Sequence, residues 1–306
     1  MKAVMYHYVR EFDPALPNFR FLDVRNFERQ LDHFDEAYGF AGIDEWESWL
    51  AGGPVPGDKV VLTFDDAMAC HYRYAFPLLR ERGLWGVFYV PTLPYSDGRM
   101  VDVHKVHLLS GAYSGELLLE RTLALVTEEM IPFEKRDEFR RLTYLDQDNH
   151  PGVTEFKRIV NYFVGEDHRS ELLAELSEAV GYGAFPLDFY CTAEQLAEMA
   201  AGGMVIGSHT RSHPVMSKLA PAEQEREIRD SFACLEAICP LRHRTYCHPY
   251  GGFHSFDDDT VRILEAAGVD YSFNVEARDI EAGDLATHRQ FLPRYDCNQF
   301  PHGKAS

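Results

Sequence analysis

Residues 59–91 read KVVLTFDDAMACHYRYAFPLLRERGLWGVFYVP, and this stretch decides the fold. Lys59 to Phe64 is short, β-rich and apolar, and is entered from the turn-prone segment 52–57, the mark of a buried strand. His71 to Gly83 reads as a helix closed by Gly83, its start delayed by Pro77. Leu84 to Val90 is a second buried-type strand, ended by Pro91. Strand, helix, strand, with both strands apolar throughout, is the unit of a parallel sheet or barrel.

Upstream, Met1 to Val9 reads as a strand with a polar end. Downstream the rhythm stops. Charged segments of helical period follow one another: 115–129, 133–142, 153–164 and 170–180. Strand signals are almost absent there. The chain is therefore expected to be one barrel domain over 1–306 with a mainly helical insertion at about 100–190, placed to cover or border the site. The βα rhythm then resumes. Thr192 and Gln195 form a capping-box pattern ahead of a helix running to Ala201. A strand follows at 203–207. Pro221 opens a helix whose Ile228, Phe232, Leu235 and Cys239 share one face. A strand at 244–247, a helix at 258–267 and a strand at 271–275 complete the pattern.

In an α/β barrel the reactive groups collect at the C-terminal ends of strands. Three such ends carry Asp65-Asp66, Ser208-His209 and His248-Pro249-Tyr250. Two adjacent carboxylates repel when buried, and a cation relieves the one that binds it, so one acid reads as a ligand and the other as a base. A helix N-cap with an acidic first turn explains the same pair. His209 and His213, at i and i+4, fall on one face of a helical turn, either as metal ligands or as a solvated surface turn. Tyr250-Gly251-Gly252 after Pro249 is a tight turn, or one that presents a backbone N–H to an oxyanion. A carboxylate and two imidazoles suit zinc, iron or cobalt, and a free carboxylate beside such a metal suits hydrolysis.

Composition narrows the classes. The 306 residues are 45% hydrophobic and 13% aromatic, ordinary for a globular enzyme. A net charge of −19 disfavours nucleic acid and anionic membranes as partners. No apolar run approaches the length of a membrane span, and the N-terminal residues lack the pattern of a signal peptide. Six cysteines without a Cys-x-x-Cys are expected as free thiols, and the expected location is cytoplasmic.

The ordered set Thr63-Phe64-Asp65-Asp66, His209-x-x-x-His213-Pro214 and Pro249-Tyr250-Gly251 resembles the polysaccharide deacetylases, over roughly 1–98 and 190–296. The resemblance implies a distorted (β/α)7 barrel, TIM-like, with one divalent metal, usually zinc. It implies Asp66, His209 and His213 as ligands, Asp65 as general base, and the Tyr250 N–H on the oxyanion. Two positions depart from the pattern. The arginine that many members pair with the base is Cys247 here, and the late Leu-x-His that supplies the acid is Leu292-Pro293-Arg294. Either His288, His248 or another group supplies the acid, with His248 the candidate at the site mouth, or Arg294 binds an anionic substrate group; Pro249 is expected at the substrate, and His7 reads as an interior barrel histidine or a substrate contact. His104, His107, His150, His168 and His254 read as solvated or helix-surface residues.

The leading expectation is a metal-dependent hydrolase that takes an N-acyl group, N-acetyl above all, from an amino sugar or oligosaccharide, nucleotide- or lipid-linked among the options. The alternatives are a metal-independent amidohydrolase on a cyclic amide and an inactive carbohydrate-binding protein.

Overall fold

The structure, a computed structural model, describes residues 1–139 and 152–305. His150 and the end of the expected 133–142 helix lie outside the described residues. The chain divides into two compact units. Met1–Glu11, Phe21–Arg99 and Leu187–Ser306 form one; Phe12–Arg20 and Met100–Pro186 form the other.

The first unit is built on β1 (Lys2–Tyr6), β4 (Val60–Asp65), β5 (Gly86–Val90), β6 (Val205–Ser208), β7 (Thr245–Cys247), β8 (Tyr271–Phe273) and β9 (Tyr295–Asp296). They pair in the order β8-β7-β6-β5-β4-β1-β9, every pair parallel. The short strands β2 (Val9–Arg10) and β3 (Leu22–Asp23) form a separate parallel pair. Leu292 bridges to Phe273 on β8, while Tyr295 and Asp296 pair with Val4 and Met5 on β1. The segment 292–296 thus joins the two ends of the sheet and closes the expected distorted (β/α)7 barrel along a thin seam.

Successive side chains of a strand point to opposite faces, and here both faces are buried. Leu62 and Phe64 of β4 pack outward with Phe27, Leu31 and Leu79 of the surrounding helices. Val61 faces the other way, with Val87, Tyr89, Val205 and Phe273. Asp65 shares the alternation of Val61 and Thr63, so β4 delivers a carboxylate to the barrel interior.

The expected helix over 71–83 divides in two. His71–Ala75 is a π-type turn, and the α-helix proper runs Phe76–Glu81 with Pro77 in its first turn. Pro77 brings no N–H, so the backbone before it adopts the wider turn. The helix at Ala193–Ala201 carries the expected Thr192–Gln195 capping box. In the helix Pro221–Ile238, residues Ile228, Phe232 and Leu235 are buried as the apolar stripe requires.

The second unit is helical among its described residues, with Asp102–Ala112, Gly115–Leu125, Gly152–Arg158 and Glu166–Val180 as its main helices. It has a core of its own, including Val106, Leu109, Leu118, Phe156, Phe163, Leu172 and Leu176. His104, expected at a helix surface, is fully buried in this unit. All six cysteines are free thiols. No described helix is long and apolar enough to cross a membrane.

Candidate active site

Asp65 ends β4, and the chain then turns through two left-handed residues, Asp66 at φ 81° and Ala67 at φ 50°. Side chains other than glycine adopt this region at a cost, so the packing around them holds the turn in place. The turn brings Asp66 Oδ1 to 3.7 Å from Nε2 of His209 and 3.7 Å from Nε2 of His213. The two imidazoles meet edge to face, 4.7 Å between centroids. One ligand atom from each of the three residues lies within 4.8 Å of the others. Bonds of about 2.0–2.1 Å to one tetrahedral cation set ligand atoms roughly 3.4 Å apart, so this spacing fits a shared metal ion. His209 Nδ1 donates to the Cys247 carbonyl at 2.8 Å, which fixes the tautomer and leaves the Nε2 lone pair facing Asp66.

The histidines do not sit on a helical turn as their spacing predicts. They belong to a loop after β6 (Val205–Ser208) in which Thr210 (φ 65°) and His213 (φ 61°) are left-handed. Pro214 disfavours the right-handed helical region for the residue before it. The Thr210 hydroxyl accepts from the His213 N–H at 2.9 Å and holds the loop closed.

Asp65 lies inside the barrel in the grip of Arg294. Arg294 Nη1 and Nη2 donate to the two carboxylate oxygens, each at 2.8 Å. Its remaining donors reach Thr63 Oγ1, the Asn274 carbonyl and Cys247 Sγ. Burial pushes the Asp65 pKa up, but the charge and hydrogen bonds of Arg294 outweigh it and hold the carboxyl at about 2. The expectation that Arg294 meets the substrate is corrected here: the side chain is fully buried and its donors are spent within the barrel. It provides Asp65 with a guanidinium partner from the closing seam, at the place where the sequence shows Cys247 in lieu of the arginine that the resemblance leads one to expect.

A second set of possible ligands, Asp65, His209 and Cys247, also clusters. Arg294 decides against it. A guanidinium within 2.9 Å of the sulfur and 2.8 Å of the carboxylate already supplies the positive charge there. Burial also raises the Cys247 pKa far above the usual thiol value, so the thiol stays protonated.

His248, expected as the general acid, is a packing residue. It is buried and stacked on Phe256 at 3.9 Å, and its Nε2 donates to the Gln290 carbonyl at 2.7 Å. Burial lowers its pKa to about 3, so it carries no spare proton near neutrality. Pro249 is buried as well, and so does not present a surface to substrate. Tyr250 is 41% exposed, with its ring edge-on to His213 at 4.8 Å. Gly251 follows at φ 66°, where a Cβ would collide with Val275. His7, half-exposed at the end of β1, places Nε2 4.0 Å from Asp66 Oδ2. Its carbonyl accepts from His71 Nε2, a half-buried contact with no signal in residue type or spacing. Asp65, Asp66, His209, His213, His7 and Tyr250 are thus brought together; His248, Pro249 and Arg294 are buried around them.

Residues 161–272 match the polysaccharide deacetylase family model. Over that stretch the chain is similar to the polysaccharide deacetylases. YxkH of Bacillus subtilis (strain 168), which carries the polysaccharide deacetylase name, is 28% identical over 102 residues, 33% of this chain and 36% of that protein. Among solved structures, the deacetylase PplD of Streptococcus pyogenes in complex with acetate superposes with a TM-score of 0.58 at 19% identity, covering 97% of this chain and 91% of its own. IcaB from Ammonifex degensii gives 0.52 at 20% identity, covering 89% and 82%. The two structures share the fold.

Proposed function

We propose that this protein is a metal-dependent hydrolase that removes an N-acyl group, N-acetyl in the first instance, from an amino sugar or glycan. The observation that carries the reading is the convergence of Asp66, His209 and His213 on one point, with an ionised Asp65 beside them. The family match and the deacetylases that share the fold support the substrate class.

Asp66, His209 and His213 would hold the cation, and their carboxylate-and-two-imidazole donor set suits zinc. When bound, it supplies Lewis acidity, acidifying water and polarising the acyl carbonyl. Asp65 takes the proton of the attacking water as the new C–O bond forms. Arg294 fixes the plane of its carboxylate for that transfer. A carboxyl held at about 2 is a weak acceptor but a ready donor. Asp65 therefore passes the same proton to the amide nitrogen as the C–N bond breaks, releasing amine and acid. This leaves no task for His248. We assign the Tyr250 backbone amide to the developing oxyanion, since its ring already borders the ligand His213. No described residue singles out a nucleotide or lipid linkage on the sugar.

Metal analysis of wild type, Asp66→Ala and His209→Ala tests the reading, with acetate release from N-acetylated amino sugars measured alongside. Stoichiometric zinc in wild type, lost with activity in both variants, is the expected result. A wild type that takes up no metal on reconstitution overturns it. Metal without turnover on any acylated sugar favours the binding-protein alternative, whose support from the missing arginine is already weakened by Arg294.

A further inference from the structure

The loop that carries the second histidine is held from outside the site by one acid on the helix Pro221–Ile238. Glu227 Oε2 accepts from the Arg211 N–H at 2.9 Å and the Ser212 N–H at 2.7 Å, and Oε1 accepts from the Ser212 hydroxyl at 2.8 Å. Three charge-assisted bonds from one carboxylate land on the two residues between Thr210 and His213. Both of those flanking residues are left-handed. On its other side the same loop is fixed through its carbonyls, which accept from the Thr92 N–H at 3.2 Å and the Leu93 N–H at 2.7 Å. Glu227 and the 92–93 backbone thus clamp the loop between them. Ser231, four residues on along the same helix, adds a hydroxyl contact to Ser208 at 2.8 Å.

From this geometry we infer that Glu227 is a positioning residue for metal binding, setting the His213 imidazole at the distance from Asp66 that a shared cation needs. The inference rests on the metal-site reading above. A left-handed loop without glycine relaxes unless it is held. A relaxing loop swings His213 and leaves Asp66 and His209 in place, because His209 is tied separately to the Cys247 carbonyl. Loss of Glu227 therefore acts on one ligand of three. Groups that orient ligands from behind typically contribute roughly 10- to 100-fold to metal affinity, and that is the effect expected here.

The experiment compares Zn2+ and Co2+ dissociation constants of wild type, Glu227→Ala and Glu227→Gln, with Glu225→Ala as a control on the exposed side of the same helix. The visible spectrum of the Co2+ protein and the melting temperature without metal are recorded in parallel. Glu227→Ala is expected to bind both metals roughly 10- to 100-fold more weakly with an altered Co2+ spectrum. Glu227→Gln, which keeps one acceptor, should fall between it and wild type, and Glu225→Ala should match wild type. If Glu227→Ala does not fold, Glu227→Gln alone carries the comparison. Unchanged affinity and spectrum in the Glu227 variants, with wild type binding metal, overturn this inference alone. Failure of wild type to bind either metal overturns the metal-site reading and this inference with it.

Discussion

A guanidinium inside a barrel is tolerable only when its charge is answered, and Asp65 answers Arg294 on both oxygens. Removing one partner leaves a buried charge alone, a loss of about 3–5 kcal/mol. Arg294→Met should therefore unfold at markedly lower denaturant. The double variant Arg294→Met/Asp65→Asn should recover most of that loss, because it removes both charges. Urea melts of the four proteins check this; equal losses in the single and double variants would show that packing, and not charge, is at stake. Asp66 poses a different question. At φ 81° it needs a side chain that tolerates the left-handed region, as asparagine does. Asp66→Asn should thus keep the metal-free unfolding free energy within about 0.5 kcal/mol of wild type while losing metal affinity, whereas Asp66→Ala confounds the two. The proposed ligands are legible from residue type at strand ends. The partner of Asp65 is not. Arg294 lies 229 residues from Asp65, and a two-residue strand leaves no periodicity that would bring them together.

The seam is thinly paired. β9 contributes two residue pairs to β1, and a single bridge joins Leu292 to β8, against five pairs between β1 and β4. Local opening favours thin pairing over thick, so the amides of Leu292 and Asn274 should exchange with solvent before those of Val61 to Phe64. Hydrogen-exchange mass spectrometry resolves the order, and simultaneous exchange would mean that the barrel opens as one body. Strand, helix and strand over 59–91 were readable because unbroken apolar runs with helical spacing between them have few other solutions. The histidine loop was not readable. An i, i+4 spacing looks helical, and nothing in Thr210 or His213 announces a left-handed backbone that only hydrogen bonds from elsewhere enforce.

At the scale of the whole molecule, buried histidines shape the response to acid, His71 and His248 among them. Burial lowers the pKa of His71 to about 4 and of His248 to about 3. Below the ordinary value near 6.5, the unfolded chain binds protons that the folded one refuses. Their contribution is therefore complete above that value and is lost as pH falls toward 4 for His71 and toward 3 for His248. Each titration is worth up to about 1.4 kcal/mol per pH unit inside its window. Unfolding free energy from urea melts should decline steadily from pH 6.5 to 4.5, and His248→Phe should flatten part of that slope; a flat wild-type curve would contradict both assignments. Each unit encloses its own apolar core, and the helical character of the described residues of the second unit is visible as a change of period along the chain. Chain order has one more effect. A polypeptide translated only through residue 213 already holds Asp66, His209 and His213, but its Asp65 has no Arg294 to orient it. In synthesis these side chains thus precede Glu227, the Cys247 carbonyl and Arg294, the groups that hold them in place. A chain clipped ahead of 294 keeps Asp65 but leaves its carboxylate without the guanidinium that holds both oxygens in the full barrel.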